Sequence, residues 1–419
     1  MAPASRAHLL VLIAALAWAT PPAEEFLRKA EEFKRKGDAA GALAVVEEGL
    51  RRFPKSAHLE DEAGFLLGVQ GRFAEAIERF ERAVRLDRKL DKAQFHLGVA
   101  RWITKEGLRA IGPLEAAAQL APGNFEYRAR LGEAYSGLER YSEAVKELDA
   151  AVKLSPRHSG AWNQLGLARQ RAGERDGALE AYRKAVELDP GNVEARNNLG
   201  FLLVETGKAD DGLAQFHEAL RLDPKHRGAL YNIGFAHLQK GELDKAAVHY
   251  RKLLQAEPDS PVLHYNLGLA LKQQDDLEGA KLALQRAIEL DPRLSEAHYT
   301  LGITHWQAGE FAEAARQMQS AVALRPDYAE AHYMLGTALK QQGELEAAAK
   351  ALREAIRLDP ATPGPYNLLG QILRQQGDMQ GSKTMFAEGA RVKKLRESEQ
   401  KTMFDRSALE SVGPRPRPR

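Results

Sequence analysis

One property of this chain governs every other: it repeats itself every 34 residues, without an insertion or a deletion. The stretch from Ser159 to Asn192, SGAWNQLGLARQRAGERDGALEAYRKAVELDPGN, falls on another copy of itself when moved by one period in either direction. Eleven such copies run from Ala23 to Arg396. With each copy numbered from 1, position 8 is Gly64, Gly98, Gly132, Gly166, Gly200, Gly234, Gly268, Gly302, Gly336 and Gly370, and only Ala30 in the first copy departs. Position 32 is proline in every copy except the second and the last, which carry Arg88 and Lys394. A unit this small cannot bury its apolar face alone, so neighbours must stack into one continuous core. The chain therefore grows by adding units, and its 419 residues do not imply two or three separate cores.

Each copy reads as two helices. In the tenth, AEAHYMLGTALKQQ is free of proline and Gly343 stops it; GELEAAAKALREAIRLDP follows and ends at Asp359-Pro360. Glycine inside the first helix costs about 1 kcal/mol, so its recurrence at position 8 predicts a close approach that a β-carbon would block. Ala178 and Ala185 predict the same on the second helix. The set Trp162, Leu165, Gly166, Ala178, Tyr182, Ala185 and Pro190 resembles the tetratricopeptide repeat (TPR) family, and the resemblance covers nearly the whole chain. It implies an all-α, right-handed superhelical solenoid of stacked helix-turn-helix units over 23–396. It also implies a concave groove lined by first helices, in which such proteins bind peptides.

The ends and irregularities carry their own expectations. Residues 1–19 place Arg6 before the apolar run Leu9 to Ala17 and the small-x-small site Ala17-Trp18-Ala19, the pattern of a signal peptide cleaved after Ala19. The run is shorter than the roughly 20 apolar residues that span a bilayer. The expected location is a bacterial periplasm or the extracellular space. With no cysteine, the chain has no disulfide, no thiol nucleophile and no site for a cysteine-linked lipid anchor. Gly112-Pro113 inside a second helix predicts a kink or a shortened helix. Arg88 in the proline slot predicts a second helix that runs further. Lys394 lets the last helix continue, with Val392, Leu395, Met403 and Phe404 as the apolar side of a cap; 397–419 then forms that cap and a disordered Pro/Arg tail.

Catalysis finds little room. Outside the repeats lie only the leader and the tail, far below the size of a catalytic domain, and no P-loop, Rossmann glycine pattern or HExxH helix occurs. The reading is that the chain is no enzyme and needs no cofactor. Lys+Arg number 60 against 58 Asp+Glu, which argues against a nucleic-acid or anionic-membrane binder. His264, His298 and His332 share position 4, but equivalent residues of stacked helices lie about 10 Å apart. Zinc holds its ligands at about 2 Å, so the reading is packing rather than a metal site.

Binding is the remaining job. Position 5 forms a column of Asn163, Asn197, Tyr231, Tyr265, Tyr299 and Tyr333, and position 6 adds Asn198, Asn232 and Asn266. An amide both donates and accepts, so it can pair with a peptide backbone of any sequence, and tyrosine adds flat apolar area with a polar end. These nine residues are the expected peptide contacts, although Tyr-Asn-x-Leu/Ile-Gly also resembles the family's plain consensus and serves simple helix packing. The lysine and asparagine clamp with which chaperone adaptors of the family grip a C-terminal carboxylate is absent. The expected partner is a protein or peptide. The alternatives are a self-associating structural module, or an accessory subunit of an envelope assembly, secretion or polysaccharide-export complex.

Overall fold

Every hairpin turns on one residue in left-handed conformation. The structure, a computed structural model, describes the backbone of residues 22–411 and the side chains of 23–399. Position 15 has positive φ in all eleven repeats: eight glycines lie between 72° and 87°, and Lys105, Glu139 and Asp275 lie at 64°, 60° and 65°. This residue ends the first helix and closes its last carbonyls, as when Glu174 N–H donates to Arg169 O at 2.8 Å.

All regular structure among the described residues is helical, 22 helices in all. From the second repeat on, first helices begin at 34-residue intervals, from Ala57–Val69 to Pro363–Gln375, each of 13 residues. Second helices have 14 residues, from Ala39–Arg52 to Leu345–Leu358, before the long last helix Met379–Ser411. Position 8 packs against position 24 of the same repeat. A β-carbon on Gly166 would lie 2.6 Å from the Tyr182 ring, and one on Gly132, Gly268 or Gly336 equally close to Leu148, Leu284 or Leu352. These position-24 side chains are at most 1% exposed and form the middle of the core.

The junction between repeats is tied by a side chain. At most junctions the position-4 residue donates to the carbonyl of position 32 in the preceding repeat: Trp162 Nε1 to Pro156 O (2.9 Å), Arg196 Nε to Pro190 O (2.8 Å), Tyr366 Oη to Pro360 O (3.2 Å); Glu60 and Leu230 offer no donor there, and Arg128 pairs with Glu147 instead. His264, His298 and His332 do the same through Nε2, to Pro258, Pro292 and Pro326 at 2.9, 3.2 and 3.0 Å. The histidine column is thus a set of loop ties.

Three local expectations need correction. The helix ending before Arg88 does not run further; it is Phe73–Leu86, the usual 14 residues. Asp87 stops it by accepting from Lys89 N–H at 2.8 Å, as Asp189, Asp291 and Asp359 do elsewhere, and Gln94 Nε2 ties the loop to Arg88 O at 3.2 Å. In this repeat the aspartate suffices for the stop; the helices capped by Phe53, Ala121, Ser155 and Arg325 end at the same position with proline next and no aspartate. The helix holding Pro113, Gly107–Leu120, is not shortened either. Proline leaves the carbonyl four residues back, Arg109 O, without its helical donor, and Arg101 Nη1 supplies one at 3.1 Å. At the C-terminus Val392 is buried, but Leu395 is 54% exposed and only borders an open hollow with Pro360, Ala361 and Thr362. The side chains of Met403 and Phe404, residues 412–419 and the leader lie outside the described residues.

The chain divides into two compact units, Met1–Leu203 with Arg221–Pro224 and Val204–Leu220 with Lys225–Arg419. Within each, a first helix packs on its own second helix, and that second helix packs on the next first helix. First helices of successive repeats also touch, whereas among the described residues second helices do not. Each stack therefore curves toward its first helices. Among the described residues no helix is long and apolar enough to cross a membrane.

Candidate functional site

The curved-in face of each unit is built from positions 5, 9 and 13, which lie four residues apart and so share one side of the first helix. All nine expected contact residues stand on first helices and all are half-buried.

In the second unit the hydroxyls of Tyr231 and Tyr265 are already engaged. Tyr231 donates to Glu257 Oε2 at 2.6 Å and accepts from Arg227 Nη2 at 2.9 Å, while Arg227 and Glu257 pair at 2.7 Å. Tyr265 hydrogen-bonds Thr300, and burial pushes its pKa up. Burial does the same to Tyr299, whose ring lies 4.7 Å from that of Tyr328; the Arg325 guanidinium covers the Tyr328 ring at 3.4 Å and pairs with Glu296 at 2.8 Å. The Tyr333 hydroxyl stands 2.9 Å from where a β-carbon of Gly364 would sit, so that glycine makes room for it. Chemically this column offers ring faces more than free hydroxyls. Asn232 lies beside Tyr231, and the amide of Asn266 makes no hydrogen bond among the described residues.

In the first unit Asn198 Nδ2 donates to Asn163 Oδ1 at 3.1 Å, so position 6 of one repeat meets position 5 of the repeat before it, and Asn197 lies beside them. A stronger feature lies nearer the N-terminus. Phe65, Val69, Phe95, Val99 and Ile103, positions 5, 9 and 13 of the second and third repeats, line a hollow of about 510 Å³. Phe65, Val69 and Ile103 are 39%, 62% and 51% exposed, unusual for large apolar side chains grouped together. His96 stands between the Phe65 and Phe80 rings and binds Asp61 Oδ1 through Nδ1 at 2.8 Å. Lys34 lies 5.5 Å from the Phe65 ring centre and is paired with Glu31 and Glu62 at 2.7 and 2.8 Å. A second hollow, of about 350 Å³, adjoins the first through Glu126 and is lined by Arg130, Glu133, His158 and Gln164. The period-34 register of this apolar group is written in the sequence, whereas its exposure is not.

Residues 174–405, more than half of the chain, match the family model described as the cilia and flagella-associated protein 70 C-terminal domain. Residues 62–125 and 130–193 match the model described as the tetratricopeptide repeat. No curated protein matches the chain. Among solved structures, yeast Tom70 is similar at 16% identity over 93% of this chain and 96% of its own, with a TM-score of 0.51. A tetratricopeptide repeat protein from Parabacteroides merdae is similar at 19% identity over 59% of this chain and 98% of its own, with a TM-score of 0.49.

Proposed function

The chain belongs to the tetratricopeptide-repeat family that these two models describe, and from that premise we propose that it is a non-catalytic scaffold holding an extended peptide or protein segment against its first-helix faces. The observation that carries this is the grouped exposure of Phe65, Val69 and Ile103 on the inward-curving side of the first unit. Apolar area left open there gains about 25 cal/mol per Å² when a partner covers it. In the second unit the ring faces of Tyr231, Tyr265, Tyr299 and Tyr333, with the free amide of Asn266, extend the same role. The test is crosslinking and co-purification of the full chain from its native cells, beside Val69→Asp/Ile103→Asp and Asn266→Ala variants. A partner captured by the parent chain and lost from a variant supports the face that variant alters. Equal capture by all three rejects the first-helix faces.

The proposal includes export to the cell envelope, supported by the leader pattern of residues 1–19. Its test is the intact mass of the protein recovered from the envelope or medium. A chain beginning at Thr20 supports cleavage, and a full-length chain retained in the cytosol rejects it.

One observation favours a second reading, self-association. Leu108 is 80% exposed and lines, with Trp102 and Leu138, a hollow of about 660 Å³ at the start of a second helix. Sedimentation velocity at rising concentration, with Leu108→Glu as comparison, decides it. A dimer abolished by the substitution supports that reading, and a concentration-independent monomer ends it.

A further inference from the structure

We propose that the first-helix face of repeats two to four takes a protein segment with large apolar side chains followed by a basic residue, and that Glu126 pairs with that base. The inference rests on the reading of this face as a binding surface and names what it binds.

The apolar half follows from the hollow between the second and third repeats. Its volume, about 510 Å³, lies within the ~300–1,000 Å³ range of ligand sites, and Phe65, Val69 and Ile103 open onto it. Apart from Glu126 at its edge, no charged side chain stands unpaired beside this hollow. Lys34, which approaches Phe65, is met by two carboxylates, and His96 is met by Asp61.

The basic half follows from the charges around both hollows. Arg130 pairs with Glu133 at 2.9 Å, and His158 accepts from Ala161 N–H at 3.0 Å. Glu126 alone, among the described charged residues that line the two hollows, makes no side-chain hydrogen bond or ion pair, and it stands where they meet. A segment laid along this face therefore passes from apolar wall to a carboxylate that has no side-chain partner. A Lys or Arg there gains an ion pair without displacing an existing one. An acidic residue meets repulsion, which sets specificity more than bulk affinity.

The experiment uses the full chain and two labelled synthetic nonapeptides read by fluorescence anisotropy. One carries Leu, Leu and Phe followed by Lys; its twin has Glu in place of Lys. The expected result is that the Lys peptide binds about tenfold more tightly at low salt, a gap that narrows as salt rises. Glu126→Lys reverses the order of the two peptides, and Val69→Asp/Ile103→Asp removes binding of both. All three side chains are exposed, and an unchanged far-ultraviolet circular dichroism spectrum verifies the fold of each variant. Equal binding of the twins, or an order unmoved by Glu126→Lys, overturns the proposal. Neither peptide binding, while the Val69/Ile103 variant still loses a co-purified partner, overturns this inference and leaves the scaffold reading standing. Neither peptide binding and no partner lost defeats both for this face.

Discussion

Placing one methyl group in the core between two helices of a repeat tests why position 8 is glycine. A β-carbon on Gly166 lies 2.6, 2.7 and 3.0 Å from Cδ1, Cε1 and Cγ of Tyr182, whose ring is fully buried and whose hydroxyl is held by Gln170 Oε1 at 2.9 Å. The ring has no free space to enter, so Gly166→Ala overpacks the hairpin at a cost of about 1–3 kcal/mol. Alanine also repays about 1 kcal/mol of helix propensity. The net expectation is a loss of about 1 kcal/mol. Tyr182→Ala alone costs about 3–5 kcal/mol through the cavity it leaves. In that background the steric term vanishes and only propensity remains, so adding Gly166→Ala stabilises by about 1 kcal/mol. The sign reverses, and the coupling between the two sites is about 2 kcal/mol. Urea unfolding followed by tryptophan fluorescence, in a background where Trp18, Trp102 and Trp306 are changed to Phe so that Trp162 on the same helix reports alone, gives the local transition. Amide hydrogen exchange over 159–171 guards against the array unfolding in parts. If Gly166→Ala stabilises in both backgrounds, close packing is not why glycine stands there.

Three further outcomes follow from local geometry. Glu139→Gly raises the urea midpoint by an amount equivalent to about 1 kcal/mol, because a β-carbon at φ 60° is strained; Asp275→Gly gains less, since aspartate tolerates this region better. Arg101→Ala costs about 1–2 kcal/mol by leaving Arg109 O without a donor and Glu81 without its 2.7 Å partner. The loss shrinks in a Pro113→Ala background, where the helix supplies its own N–H, and equal losses in both refute the compensation. Glu242 is held at about 2, first by its hydrogen bond to His237 and then by those from Lys240 and Lys245, against an ordinary 4.5. Its contribution is complete above pH 4.5 and is lost as pH falls toward 2, so the urea midpoint of Glu242→Gln depends less on pH across that window than the parent's.

The repeat made the helices legible almost to the residue, because a fixed period leaves each helix start only one place to fall. What it left unread were compensations between residues far apart along the chain. Proline at 113 carries a known cost, but nothing in its own helix announces that Arg101 will donate to the freed carbonyl. Arg88 seemed to remove a stop signal, when the neighbouring Asp87 was the stop. At position 4, tryptophan, arginine, histidine, glutamine and tyrosine share the act of donating to a loop carbonyl, while Phe26, Glu60 and Leu230 cannot, so the tie is invisible to any comparison by residue type. The first-helix face was legible as a set of positions and not as a ranking. Phe65 and Ile103, at positions 9 and 13, share the side of the first helix with the position-5 tyrosines, and only exposure in three dimensions separates an open apolar wall from a column in which Tyr231 and Tyr265 already have hydroxyl partners.

The loop ties also bear on how the chain comes off the ribosome. Each joins residues six apart, so a junction closes within one first-helix turn of its proline, before the second helix that will cover it has been synthesised. Contacts this short in sequence separation close at low entropic expense. Where the tie is present, the growing chain therefore fixes the spacing of the new repeat from the N-terminal side, at synthesis rates of about 5–20 residues per second. Any donor of suitable reach serves, and mutation is free to exchange one for another at that slot while the direction of assembly is kept.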